Sequence, residues 1–411
     1  MYRKIDACRT CGNPQLALVT DLGEQYLTGV FPAKPDTAIT KGPLRLVKCH
    51  GGPDVCGLLQ LEHNYDLGEL YGENYGYHSS LNQSMVRHLK AKVDRILGAV
   101  TLAPGDFVID IGSNDGTTLG FYPDDLLLVG VDPTGKKFHH YYKPHVKLLA
   151  DFFSGRIVAA AFPGRKAKVI TSFSMLYDLE QPQDFFNEIA EVLDGEGIWV
   201  AEQSYMPTML EQNSYDTICH EHLEYYGIRQ LAWMANRAGL KVVDFELNDV
   251  NGGSCSVTFA HKASSRQPTA AVGAAMAHEE KLGLDSLEPY LAFTRRSADT
   301  RTALLAFFEK ARAEGKKVCG LGASTKGNVI LQYCGLGPDQ MPVIGEVNPD
   351  KFDCYAPGSW IPIADEREVL KQDWDYLVVL PWHFRDFFVK SPSFKGRKLV
   401  FPLPTLTVVQ P

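Results

Sequence analysis

Apolar positions follow two rhythms along this chain. From Ser84 onward, Met85, Leu89, Val93, Ile96 and Leu97 recur at near-helical spacing and predict an amphipathic helix. Short continuous apolar runs come next. Phe107–Ile111 ends in a turn at Gly112, Leu126–Val131 is closed by Asp132, and Val146–Ala150 is closed by Asp151; Lys168–Thr171 and Gly197–Ala201 follow. Runs of this length bounded by turn residues suit buried parallel strands, and helical stretches between them predict an α/β sheet with helices on both faces. Residues 264–314 are rich in Ala, Leu, Glu, Lys and Arg and predict one or two linking helices. The α/β rhythm restarts at Lys316, with strand-like Lys317–Gly320, Val343–Glu346, Tyr376–Leu380 and Lys398–Pro402. The first 70 residues differ: they hold four of the nine cysteines and short β-like runs at Leu44–Val47 and Leu58–Leu61. Four parts are expected: a cysteine-bearing module over 1–75, an α/β domain over 76–263, a helical connector over 264–315 and a second α/β domain over 316–411.

Composition narrows the function. Of the 411 residues 45% are hydrophobic and 22% charged, which excludes a disordered chain. The apolar runs fall far short of the ~20 residues of a membrane span. The start, Met-Tyr-Arg-Lys-Ile-Asp-Ala-Cys, has no apolar signal-peptide core, so a cytoplasmic location and no membrane partner are expected. A net charge of −8 and the lack of a dense Lys/Arg run argue against nucleic acid as a partner.

Cysteines in a reducing compartment point to metal or buried thiols rather than disulfides. Cys8 and Cys11 form a Cys-x-x-Cys pair, and Cys49 and Cys56 follow as a wider pair around Gly51, Gly52 and Pro53. Four thiolates suit a structural Zn²⁺ with no open position, and His50 is a rival ligand. A module this small needs such a staple.

The strongest chemistry lies in Asp110-Ile111-Gly112-Ser113-Asn114-Asp115-Gly116 after the first strand. Small residues there let a ligand approach the carboxyl edge of the sheet, but the spacing is not that of a dinucleotide fingerprint. It resembles motif I of S-adenosylmethionine-dependent methyltransferases. Asp110 leads the turn, and Gly112, Asn114 and Gly116 form it. On the next strand end Asp132 is placed to accept ribose hydroxyls. Asp151 and Phe152 offer a carboxylate and an aromatic face to adenine, and Ser172 begins a rim. Residues 73–79, including Tyr75, form an aromatic loop placed to cover the cofactor's methionine end.

Three further stretches sharpen the likeness: residues 215–226 with Cys219-His220-Glu221-His222, residues 248–254 with Asn251-Gly252-Gly253, and Leu380-Pro381-Trp382-His383-Phe384. Together with the cysteines they make the chain resemble the sugar C-methyltransferases of deoxysugar biosynthesis, including the 3-C-methyltransferases of nucleotide-linked 4-keto-6-deoxyhexoses. The resemblance spans essentially the whole chain. It implies a zinc module, a Rossmann-like methyltransferase core and a second Rossmann-like domain that holds the nucleotide sugar. It implies a mechanism in which a base removes the proton beside the ketone and the enolate attacks the sulfonium methyl. His222 takes the place of that base with Glu221 assisting, and His220 is the candidate donor to the enolate oxygen. The chain departs from the family in having Cys219 where a Tyr is frequent, and Leu176-Tyr177-Asp178-Leu179 where many members carry a His.

The second glycine turn, Gly320-Leu321-Gly322-Ala323-Ser324-Thr325-Lys326, opens a helix and is not a P-loop. Its Gly322, Ala323 and Lys326 are expected to hold the diphosphate, with Asn251, Lys351 and His383 lining the same cleft. Rival readings are methylation at C-5, or on oxygen or nitrogen; an NAD-dependent nucleotide-sugar oxidoreductase; and a zinc-module scaffold without turnover. The nucleotide base and the oligomeric state stay open.

Overall fold

The structure, a computed structural model, describes residues 2–52, 54–71 and 79–411. Its first strands are β1 (Tyr2–Lys4), β2 (Leu16–Tyr26), β3 (Lys41–Cys49), β4 (Leu59–Leu61) and β5 (His63–Tyr65). β2, β3 and β4 form an antiparallel sheet, and β1 pairs with β5. The helix predicted from Ser84 spans Gln83–Ala99, capped by the Asn82 side chain, and buries Leu89, Val93 and Ile96. Its cap satisfies an N–H that the first helical turn leaves unpaired.

Next come β6 (Phe107–Ile111), β7 (Leu127–Val131), β8 (Lys147–Leu149), β9 (Ala167–Phe173), β10 (Leu193–Ser204), β11 (Glu224–Tyr225), β12 (Leu240–Asn248) and β13 (Ser254–His261). Seven of them make one sheet in the order β12-β13-β10-β9-β6-β7-β8. The half from β10 to β8 is parallel, and β13 runs antiparallel to both β10 and β12. β6 is buried at all five positions, as a central parallel strand covered on both faces should be. Across the antiparallel seam Trp199 stacks on Phe259 with centroids 4.5 Å apart.

β11 joins none of these strands. It pairs with β4, Glu224 opposite Gln60, as the fourth strand of the N-terminal sheet. The His-Glu-His block is thereby anchored on the cysteine module.

Two helices, Ala270–Lys281 and Glu288–Ala313, follow β13. The longer one binds Thr20 through Thr294 (2.8 Å) and Asn213 through Thr300 (2.9 Å), and buries Leu304 and Phe308 near its far end. The last sheet contains β14 (Val318–Leu321), β15 (Ile344–Glu346), β16 (Ile363–Asp365), β17 (Tyr376–Val379), β18 (Leu399–Phe401) and β19 (Thr407–Val409). Its order is β16-β15-β14-β17-β18-β19, parallel except at β19. The chain moves one way from β14 and later returns to its other side, which opens a crevice at the carboxyl ends of β14 and β17. One apolar core runs from Leu44, Leu46 and Leu61 through Tyr215, Ile218 and Leu223 to Leu321, Val379 and Val400. The N-terminal sheet, the histidine block and the last sheet are packed as one body.

Candidate active site

The four sulfurs of Cys8, Cys11, Cys49 and Cys56 lie within 4.8 Å of one another, with Cys8–Cys56 and Cys11–Cys49 at 3.5 Å. A zinc tetrahedron with arms of about 2.3 Å has edges near 3.8 Å, so this donor set fits. The four thiols are coupled: their mutual hydrogen bonds pull Cys11 and Cys49 down and push Cys8 and Cys56 up. Asn13 donates to Cys49 Sγ at 3.3 Å, and Cys8 carbonyl accepts from Gly12, which closes the knuckle. His50 is exposed and outside the cluster, so the rival ligand is not placed to bind.

Between the two halves of the Cys-x-x-Cys pair stands Arg9. Its guanidinium donates to Leu61 carbonyl (2.7 Å), His63 carbonyl (3.2 Å) and Gln60 Oε1 (3.3 Å), and faces the Glu224 carboxylate at 3.6 Å. The metal knuckle therefore reaches the strand that follows His222.

A cavity of about 340 Å³ opens at the carboxyl edge of β6, β7 and β9. Gly112, Asn114, Asp132, Thr134, Phe152 and Phe153 line one side. Gly112 has φ +70°, and a Cβ there would sit 3.1 Å from Met175 Cγ, so the turn requires glycine. Asp132 accepts from Asn114 N (2.8 Å) and Thr134 N (2.7 Å), which locks two turns around its carboxylate.

Four sequence candidates do not line this cavity. Asp110 is buried beneath it, bound by Thr171 Oγ1 at 2.5 Å and pushed up to about 7 by burial. Gly116 packs against the Tyr142 ring. Asp151 is exposed and folds back on Phe152 N. The Ser172 hydroxyl accepts from Trp199 Nε1 at 2.8 Å inside the core, while Ser174, just past the end of β9, meets the cavity. Tyr75 lies outside the described residues. Sequence reasoning missed Met85, Leu89, Met175 and Phe185, which supply much of the apolar lining.

The histidine block lies one turn from this cavity. Leu223 N bonds Tyr177 carbonyl at 2.7 Å, and the His222 ring rests on the Tyr177 ring, centroids 4.1 Å apart; Asp178 and Leu179 then line the cavity. His222 Nδ1 is 3.1 Å from Thr217 carbonyl. A carbonyl only accepts, so Nδ1 carries the proton and Nε2 keeps a free lone pair. Burial, with the Lys326 charge, lowers this imidazole to about 3, so it is neutral at physiological pH.

Glu221 turns toward the N-terminal module, 3.5 Å from Thr28 Oγ1 and against Gly29, and burial raises its carboxyl. His220 points away from the cavity. It is fully buried, edge-on to Tyr65 at 4.6 Å and beside the Gly42 backbone. That environment removes it as the enolate donor. Cys219 is buried too, its thiol pushed well up by burial.

The three sequence stretches converge here. Trp382 Nε1 donates to Asp216 Oδ2 at 2.7 Å, Lys326 Nζ donates to Asn251 carbonyl, and Gly252 abuts His383. Two N–H groups of the glycine turn are bound inside the domain: Gly322 N bonds Gly345 carbonyl at 2.8 Å and Ala323 N bonds Glu346 Oε2 at 2.7 Å. Lys351 Nζ binds Ala323 carbonyl at 2.7 Å and lies over the Phe31 ring.

Three family models match in series: a zinc binding domain over residues 8–71, a methyltransferase domain over 81–244 and a C-methyltransferase C-terminal domain over 249–404. The C-methyltransferase NovU of Streptomyces niveus is 28% identical over all of this chain and 98% of its own length. The chain is an S-adenosylmethionine-dependent C-methyltransferase. Among solved structures, an O-methyltransferase family protein of Burkholderia thailandensis is 18% identical, covering 46% of this chain and 60% of its own, with a TM-score of 0.34. The CurJ carbon methyltransferase is 12% identical, covering 46% and 57%, with a TM-score of 0.35.

The cofactors of this C-methyltransferase are S-adenosylmethionine and a structural zinc ion. The 340 Å³ cavity has the polar edge at Asn114, Asp132 and Thr134 and the aromatic edge at Phe152 and Phe153 that a nucleoside requires. The cysteine tetrad uses all four positions for protein ligands, which leaves the metal a structural role. Among the described residues, no helix is long and apolar enough to cross a membrane.

Proposed function

We propose that this C-methyltransferase methylates a carbon next to the ketone of a nucleotide-linked 4-keto-6-deoxysugar, with C-3 as the position. The observation that supports it most is His222: a neutral imidazole with Nδ1 tied to Thr217 and Nε2 free, one turn from the cofactor cavity. Carbon is a nucleophile toward a sulfonium only after losing a proton, so the site needs a base that the cofactor does not carry. S-adenosylmethionine supplies the electrophilic methyl. In this reading Asp132 takes the ribose hydroxyls.

The roles follow from placement. His222 Nε2 takes the proton α to the ketone. Glu221, raised by burial against Thr28 and Gly29, assists from the side of the N-terminal module. The nucleotide sugar lies between the first cavity and the crevice of β14 and β17, with Asn251 and His383 on its path.

Solvent exchange tests the reading. With S-adenosylhomocysteine bound and heavy water as solvent, a 4-ketosugar should gain deuterium at the carbon the enzyme methylates. His222→Asn should slow this by about 10²–10⁴-fold, the usual worth of a positioned base. Exchange at the native rate in the variant would place the base elsewhere.

A further inference from the structure

Lys326 was expected to bind phosphate, yet its surroundings belong to the reacting centre. It leaves the first turn of the helix Thr325–Cys334 and reaches across to the loop Val250–Gly252, where Nζ donates to Asn251 carbonyl. Asn251 adopts φ +54°, the left-handed conformation that presents this carbonyl. A Cβ on Gly252 would lie 3.7 Å from Nζ and 3.3 Å from His383 Cβ, so nothing larger than glycine fits between the ammonium and that ring without displacement. The same ammonium acts on His222, His383 and Asp216, which lie on three other segments. The backbone donors before it, Gly322 N and Ala323 N, are already bound by Gly345 and Glu346. Nζ of this turn is thus engaged with the Asn251 loop, and its charge is felt at His222.

An enolate needs such a charge. When His222 Nε2 accepts the α proton, the C–H pair becomes the new C=C bond and the carbonyl π pair moves onto oxygen. Bound S-adenosylmethionine would supply the methyl group that this carbon takes up, its sulfur keeping the electron pair of the broken methyl–sulfur bond. Neither neighbouring candidate can hold the oxygen: His220 faces Tyr65, and Cys219 is a buried neutral thiol. We infer that Lys326, delivered by the second α/β domain, is the catalytic residue that hydrogen-bonds the enolate oxygen during proton removal. One of its three N–H groups holds Asn251, and two are left for the substrate oxygen and water.

The inference rests on the ketosugar reading, and one assay separates the two. The wild-type chain, Lys326→Met and Lys326→Arg are compared on a nucleotide-linked 4-ketosugar, following methyl transfer and solvent exchange; S-adenosylhomocysteine affinity and zinc content serve as controls for folding. Lys326→Met is expected to lose about 10²–10³-fold in kcat, the scale of a lost oxyanion donor. KM should stay within about threefold, exchange should fall in parallel, and Lys326→Arg should recover part of both. Raised KM with kcat retained would make Lys326 a phosphate anchor and overturn the inference alone. Wild-type chain that methylates no ketosugar would overturn the ketosugar reading and this inference with it. If Lys326→Met fails the folding controls, Lys326→Arg decides: native KM with reduced kcat supports the role, and native kcat with raised KM refutes it.

Discussion

Replacing Arg9 with Met tests whether the zinc knuckle braces the His-Glu-His segment. The Arg9 side chain is 2% exposed and its partner Glu224 is 0% exposed. Both Glu224 oxygens lack hydrogen bonds, so the guanidinium at 3.6 Å is what keeps that carboxylate tolerable in the interior. Burial raises the Glu224 carboxyl well above the usual carboxylate range, and the Arg9 charge opposes that rise only in part. Arg9→Met leaves a lone buried acid and strips the Leu61 and His63 carbonyls of a donor. Breaking a buried pair from one side costs about 3–5 kcal/mol. The double variant Arg9→Met with Glu224→Gln leaves no lone charge, so it should recover at least about 1 kcal/mol relative to the sum of the single losses. Urea denaturation of the zinc-loaded chain measures both, with unchanged m values as the control. A loss below about 1 kcal/mol for Arg9→Met, or strictly additive variants, would refute the brace.

Three further outcomes are expected. Asp132→Ala should weaken S-adenosylmethionine binding by about 1–3 kcal/mol in calorimetry, and an unchanged Kd would place the ribose elsewhere. Metal analysis should find about one zinc per chain, and Cys49→Ser should lose most of it; zinc-free wild type that keeps its full thermal stability would contradict the tetrad as a structural site. His220 titrates at about 3 in the fold but near 6.5 when unfolded, so between those values the unfolded chain holds the extra proton and stability falls as pH falls. His220→Leu should flatten that acid limb by about 1.4 kcal/mol per pH unit, and identical slopes of unfolding free energy from about pH 6 to 4 would refute the assignment.

The parallel strands were legible because burial on both faces writes them as continuous apolar runs, as in Phe107–Ile111 and Tyr376–Val379. β2, β12 and β13 were missed. β2 mixes buried Val19 and Leu22 with exposed Asp21 and Gly23, and bulges break its register against β3. The cysteine tetrad was legible from thiol spacing, and Gly112, Asn114, Asp132 and Phe152 from the strand-end pattern. Ser172 and Asp110 were misplaced because a motif gives the turn but not which face each side chain takes. His220 and His222 show the same limit. They flank one residue in the sequence, yet one ring packs on Tyr65 and the other on Tyr177. The partnership of Lys326 with Asn251 joins residues 75 positions apart, and no local pattern announces it.

Product analysis tests the central claim most directly. The chain is incubated with S-adenosylmethionine carrying a labelled methyl carbon and a panel of TDP-, GDP- and CDP-linked 4-keto-6-deoxysugars, and products are read by mass spectrometry and carbon NMR. The account predicts one labelled methyl on one member of the panel, bonded to ring carbon C-3. A methyl on oxygen or nitrogen, or no transfer to any 4-ketosugar, would contradict it.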